Sequence, residues 1–188
     1  MPVPRIDSNR PGQRYFEGYT LREISCPDGK LRRKWVYTGI YYRQNLPERT
    51  RTRRRLCYPL AWLFSLLPVF YCGLAPFPFL KSWWGILSIF GPLLLLLIAA
   101  ASFYHYAVAA GELTAYRYHK ISQLLLFTKL LTVIHGACAV LMLTCCFVFG
   151  AERLAVALGA VLHLAAAVLH GVVAYRESRV TYSTRRAE

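Results

Sequence analysis

Four of the five histidines, His105, His135, His163 and His170, stand in long stretches without an aspartate or glutamate. In such surroundings an imidazole acts as a metal or haem ligand, a proton carrier, or a hydrogen-bonding group in a packed core. Folding the chain about a short turn near Glu152 puts His135 opposite residue 169, level with His170, whereas His163 lies ~10 Å further along by helical rise. Two neutral imidazoles at one level on adjacent helices can ligate a haem iron axially, so His135 and His170 define a b-type haem reading. Thr128, Thr132 and His135 fall at i, i+4 and i+7, one polar helix face. With His163 and His170 that face would line a small-molecule carrier or pore. Proton-coupled transport usually employs a buried carboxylate, and none stands in these stretches.

The bland alternative for the same histidines is mutual hydrogen bonding, with Thr132 or with backbone carbonyls. It is favoured by Ala155, Gly159, His163, Ala167 and Gly171, which recur every four residues and predict a close helix–helix approach with little room for a macrocycle. A second polar level pairs His105 with Lys129, whose stem is long enough to carry its charge to a headgroup layer.

Six cysteines, at 26, 57, 72, 138, 145 and 146, form no CxxC and no zinc-ligand spacing, so no metal site is expected. Cys138 three residues after His135 is a thiol–base pair without a third orienting group. Cys72 and Cys146 fall near the same membrane edge, where a disulfide would form in an oxidising compartment. G-x-S-x-G, HExxH, GxxxxGK[ST] and GxGxxG are all absent, so an enzyme is not the favoured reading.

The elements that must position these residues are readable from composition. In 188 residues, 56% are hydrophobic and 17% charged, which excludes a disordered chain and disfavours a soluble domain. Four apolar stretches, 56–74, 84–110, 124–150 and 154–174, each supply the ~20 residues that a bilayer core requires. The expected fold class is therefore an all-α integral membrane protein, a four-transmembrane-helix bundle with a short N-terminal β-hairpin. Pro68 and Gly91-Pro92 predict kinks within the first and second spans. The first residues carry no apolar run of the secretory type, so no signal peptide is expected.

Lys and Arg are distributed asymmetrically. The segment 1–55 carries 14 of them against 5 Asp and Glu, and the connections on the same side as the termini bring the total to twenty, against two (Lys81 and Arg153) on the other side. The positive-inside rule then places both termini in the cytoplasm, with the cell membrane as the expected location. The same bias accounts for the net charge of +14, so no nucleic-acid partner is expected. Arg49, Arg51, Arg53, Arg54 and Arg55 abut the first span, where each cation near an anionic leaflet contributes about 1 kcal/mol. Tyr58 and Tyr175, and at the other edge Tyr71, Trp83 and Trp84, are expected as interfacial anchors.

Ahead of that run, residues 15–24 and 31–42 are rich in aromatic and β-branched residues and flank Cys26-Pro27-Asp28-Gly29-Lys30, a hairpin signature over about 15–42. Centring on Asp28 opposes Leu21 to Trp35, Tyr19 to Tyr37 and Tyr15 to Tyr41 on one face. The other face pairs Phe16 with Ile40, Thr20 with Val36 and Arg22 with Lys34. A lone two-stranded hairpin is marginal in water, so it needs a surface. That surface would be Tyr116 and Tyr118 of the inner loop, a second copy, lipid, or another protein. The favoured expectation is an accessory or scaffold subunit of a membrane assembly, docking a partner through Tyr15, Tyr19, Trp35, Tyr37 and Tyr41, with residues 175–188 a basic tail. Haem b or a carrier, possible as a homo-oligomer, is the alternative.

Overall fold

The computed structural model describes residues 18–25, 31–74, 83–109, 111–148 and 153–186. The chain divides into two compact units, one of residues 1–45, 109–119 and 181–188, the other of residues 46–108 and 120–180.

In the first unit, β1 (Tyr19–Ser25) pairs antiparallel with β2 (Leu31–Tyr37) in the expected register, Leu21 opposite Trp35, Tyr19 opposite Tyr37 and Arg22 opposite Lys34. The Cys26–Lys30 turn and the expected pairs of Tyr15 with Tyr41 and Phe16 with Ile40 lie outside the described residues, which begin at Gly18. The hairpin is shorter than expected. The chain turns at Gly39, and β3 (Ile40–Gln44) leaves the ladder to become the centre of a second sheet, between β4 (Glu112–Leu113) and β5 (Tyr182–Arg186). Tyr41 pairs with Arg185, and Ile40 with Arg186. The physical reason is Tyr37. Its ring lies against both Gly18, at φ +81°, and Gly39, where an added Cβ would come within 2.8 Å and 2.7 Å of it. Its hydroxyl donates to Ile40 O at 2.8 Å and accepts the Ala115 N–H at 2.9 Å. Only glycine permits both the backbone conformation at 18 and these close approaches.

Around that ring, Tyr19 and Tyr41 pack edge-on at 5.0 and 4.8 Å. In the second sheet, Tyr42 stacks on Tyr118 at 4.0 Å, and Tyr118 meets Tyr182 edge-on at 5.0 Å. The basic tail thus contains a strand, signalled by the alternation Val180-Thr181-Tyr182-Ser183-Thr184, which charge counting obscures.

The second unit holds α1 (Glu48–Phe64), α2 (Leu66–Leu74), α3 (Trp83–Ala107), most of α4 (Ala115–Val148) and α5 (Arg153–Glu177). The described chain has four helices long and apolar enough to cross a membrane: Glu48–Leu74, Gly85–Ala107, Ala115–Cys146 and Leu154–Glu177. The first starts at Glu48 instead of residue 56, and the third at Ala115 instead of 124, so much of the expected inner loop is helical. Turns of helix carrying arginines or tyrosines satisfy their backbone internally, which an apolar-run count cannot register.

The break in the first span falls at Ser65, not at Pro68 itself. A proline ring clashes with the carbonyl four residues earlier and removes its hydrogen bond, so the helix ends at Phe64. Ser65 caps it, its N–H shared between Ala61 O and Trp62 O. Pro92 interrupts nothing, since α3 runs continuously through it. The missing N–H leaves Ser88 O without its usual partner, and the Cys138 thiol donates to it at 3.7 Å. At Gly91 an added Cβ would lie 3.1 Å from Ile134 Cδ1, so the end of that side chain rests against the glycine.

Candidate functional site

Three helices bring the polar side chains of the second unit together. His135 on α4 and His163 and His170 on α5 are all fully buried, as is Ser65 at the α1–α2 break. The break matters here. A serine with regular helix on both sides commonly ties its hydroxyl to its own backbone; this one donates to Ala61 O at 2.8 Å and is also 2.6 Å from His170 Nε2. Because its proton is committed to Ala61, Ser65 accepts the Nε2–H of His170. His170 Nδ1 then presents a bare lone pair, and it is buried with no hydrogen-bond partner.

His135 reaches His163 directly, Nδ1 to Nδ1 at 2.9 Å. Its ring centroid lies 5.1 Å from that of His163 and 6.0 Å from that of His170, with the last two planes within 12° of parallel. His135 thus sits between two histidines spaced two turns apart, instead of level with His170 alone, because imidazoles reach along the helix axis and absorb the offset that helical rise predicts. His163 Nε2 continues the chain to Cys72 Sγ at 3.7 Å, and Cys72 Sγ–H donates to Met142 Sδ at 3.9 Å. The outcome is a polar string from Ser65 through three imidazoles to a thiol and a thioether, with His135 Nε2 also buried and unpartnered.

Side chains of α4 reach α5 at two of the recurring small residues: a Cβ added to Gly159 would lie 2.9 Å from Met142 Sδ, and one added to Gly171 would lie 3.7 Å from Thr132 Cγ2. The helices whose backbones come close to α5 are α1 and α2. Phe103 closes one side, its ring 6.1 Å from His170 and 6.3 Å from Trp62, whose indole N–H donates to Leu96 O at 2.9 Å.

The other expected residues fall differently. Thr128 and Thr132 donate to carbonyls of their own helix, Leu124 and Thr128 respectively. Lys129 is exposed on α4. The arginine run splits. Arg55 donates to Ala107 O at 3.0 Å and Arg54 to Arg176 O at 3.2 Å, so both cap helix C-termini, where a cation complements the dipole. Arg54 also lies 3.9 Å from Glu177, which accepts the Tyr106 hydroxyl proton at 3.3 Å. Arg49 and Arg53 remain exposed and Arg51 is half-buried. Tyr58, expected at an interface, is buried against Tyr106 at 4.9 Å, whereas Tyr175 is exposed with Arg179 over its ring at 4.3 Å. Cys72 and Cys146 do not form the expected disulfide.

No known protein family, curated protein or solved structure matches this chain.

In the strand unit, four of the five expected docking residues are described, and they differ in exposure; Tyr15 lies outside the described residues. Tyr37 is 7% exposed, and burial pushes its phenol above the ordinary value, opposed by the Ala115 N–H it accepts. It organises the unit, with Tyr19 and Tyr41 half-buried beside it. Trp35 is 51% exposed and its cross-strand neighbour Leu21 48% exposed. The exposure of Leu21 is a feature that reading the aromatics alone passes over; its place opposite Trp35 was the available signal.

Proposed function

We propose that the protein is a polytopic membrane subunit of accessory or scaffold type, with both termini in the cytoplasm of the cell membrane, docking a protein partner through Leu21 and Trp35. The observation that carries this reading is the exposed Leu21–Trp35 pair on a sheet that has two strands among the described residues. A large apolar pair in water is unfavourable by roughly 25 cal/mol per Å² of surface, and a sheet edge offers further hydrogen bonds to an incoming strand. On the face of this pair Glu23 engages Arg33 at 3.0 Å, and Arg22 and Lys34 put two cations on the opposite face, so an acidic partner rim fits the hairpin. Arg49 and Arg53 supply the contact to anionic headgroups.

The test is a photocrosslinking residue placed at position 35 of the full chain in native membranes. A discrete protein adduct, lost when Leu21 is changed to Glu, is expected. Crosslinks to lipid alone would refute the docking reading.

A haem b reading is less favoured by the side chains. Axial ligation through His170 Nε2 requires breaking its bond to Ser65, and His135 is in direct contact with His163. An apolar groove of about 790 Å³ runs between α1 and α5 past Leu60, Phe64 and Leu164, but none of the three histidines lines it. A carrier reading would require an oligomer to provide an interior path.

A further inference from the structure

We propose that Cys72, Met142 and His163 form a binding site for a soft monovalent metal ion of the Cu(I) class. One donor comes from each of α2, α4 and α5, and all three side chains are fully buried. The two edges that meet at the thiol measure 3.7 Å from Cys72 Sγ to His163 Nε2 and 3.9 Å from Cys72 Sγ to Met142 Sδ. An ion at the centre of a trigonal N,S,S set, with bonds of about 2.0 Å to nitrogen and 2.3 Å to sulfur, sets those edges at about 3.7 and 4.0 Å. The protein thus holds the thiol at nearly ligating separation from each of the other two donors.

Donor type and charge then select the metal. A thiolate and a thioether are soft ligands that favour Cu(I), with imidazole acceptable as the third. One thiolate with one monovalent cation is neutral overall, whereas a divalent ion would leave a net positive charge in an apolar helix core, where charge is costly. Among the described residues no three His, Cys, Asp or Glu side chains are grouped as a metal site; this set has two such donors, and its third is a thioether.

Two surrounding features fit the assignment. Gly159 lets the α5 backbone lie against both sulfurs, since a Cβ there would come within 2.9 Å of Met142 Sδ and 3.5 Å of Cys72 Sγ. Any side chain at this point would push the donors apart. His135 supplies the tautomer control: when His163 donates Nδ1–H to His135 Nδ1, His163 Nε2 is the bare, ligating nitrogen. Binding then exchanges the Cys72 S–H bond for a sulfur–metal bond, and one proton leaves to solvent with no change in oxidation state of the ion or the protein.

The experiment uses the full-length protein in mild detergent, reduced and without oxygen, titrated against Cu(I) held in a coloured chelator complex. The expected result is withdrawal of about one equivalent per chain, with X-ray absorption giving two sulfur and one nitrogen neighbours. Cys72→Ser should weaken binding by about 100-fold or more, and the volume-conserving Met142→Leu by about 10-fold. Cys57→Ser, on an exposed thiol, should leave it unchanged. Failure of the unmodified protein to compete for Cu(I) overturns the proposal whatever the variants do. Retention of full affinity in Met142→Leu, with Cys72→Ser inactive, overturns the trigonal site, and equally tight Zn(II) binding overturns the charge argument. None of these readouts depends on the docking partner, so the two proposals fail separately.

Discussion

The helical unit and the strand unit handle polarity in opposite ways. In the helices, Ser65, His135, His163 and His170 are fully buried while Leu87, Val133 and Val161 are exposed. In the strands, the charged residues Arg22, Glu23, Arg33 and Lys34 are exposed, as expected in water, yet Leu21 and Trp35 are exposed beside them. The first pattern is inverted relative to a soluble protein and is explained by lipid as the solvent. The second is mixed, and one surrounding solvent does not account for it. Hydrophobic exposure therefore carries information only against the solvent of each unit: on the helices it is background, on the hairpin it is a signal.

The contrast is broken most severely from the helical side. Phe103 is 1% exposed and packs against Trp62 and His170. Phe103→Ala should destabilise by about 3–5 kcal/mol through lost contact and a cavity beside the histidines. Thermal unfolding in detergent, followed by circular dichroism, reads this directly. A loss below about 1 kcal/mol would mean that the site collapses freely and that the histidine string is not rigidly held.

Ser65→Ala tests the polar string itself. It leaves the His170 Nε2–H buried without an acceptor, at a cost of about 1–3 kcal/mol. Ser65→Thr, which keeps the hydroxyl, should recover part of that loss. Equal destabilisation by both variants would point to crowding at the α1–α2 break instead of to the hydrogen bond.

How much of this was legible in the sequence follows the same division. Four helices were readable because twenty apolar residues in a row leave few alternatives, and the Leu21–Trp35 register followed from a symmetric turn. The contact of Gly159 and Gly171 with side chains of α4 was readable from their spacing. The Ser65 break was not, because proline acts on a carbonyl four residues away, and which of several prolines breaks its helix depends on what replaces the lost bond. The role of Tyr37 was hidden because nothing in a Tyr-rich run marks one ring as the buried one; that depends on Gly18 and Gly39 closing around it. The Cys72–His163–Met142 contact joins residues 70 and 91 positions apart, beyond any local spacing rule.

The strand unit offers a smaller effect. Tyr37→Phe removes one donor and one acceptor, to Ile40 O and from Ala115 N–H, and should cost about 1 kcal/mol, seen as faster amide exchange in β2 and β3. Its pH dependence has a definite sign. Burial raises the folded phenol above the unfolded value of about 10, so the contribution is complete below pH ~10 and is lost as pH rises from there through the folded value. Exchange in the Phe variant should lack that alkaline component, and its persistence would assign the titration to another tyrosine.

The smallest stability change is expected at Trp35, and that smallness is what makes it informative. With half its surface already exposed, Trp35→Ala should shift unfolding of the isolated protein by no more than about 0.5 kcal/mol, the range of ordinary surface substitutions. Its effect on partner capture should be large, because exposed aromatic anchors carry a disproportionate share of interface energy, about 2 kcal/mol or more each. The pair of measurements separates two meanings of an exposed tryptophan. If stability falls by several kcal/mol, Trp35 supports the hairpin fold and the docking face must be sought elsewhere. If both stability and capture are unchanged, the exposed Leu21–Trp35 pair has no binding role, and the difference between the two units reduces to one of solvent alone.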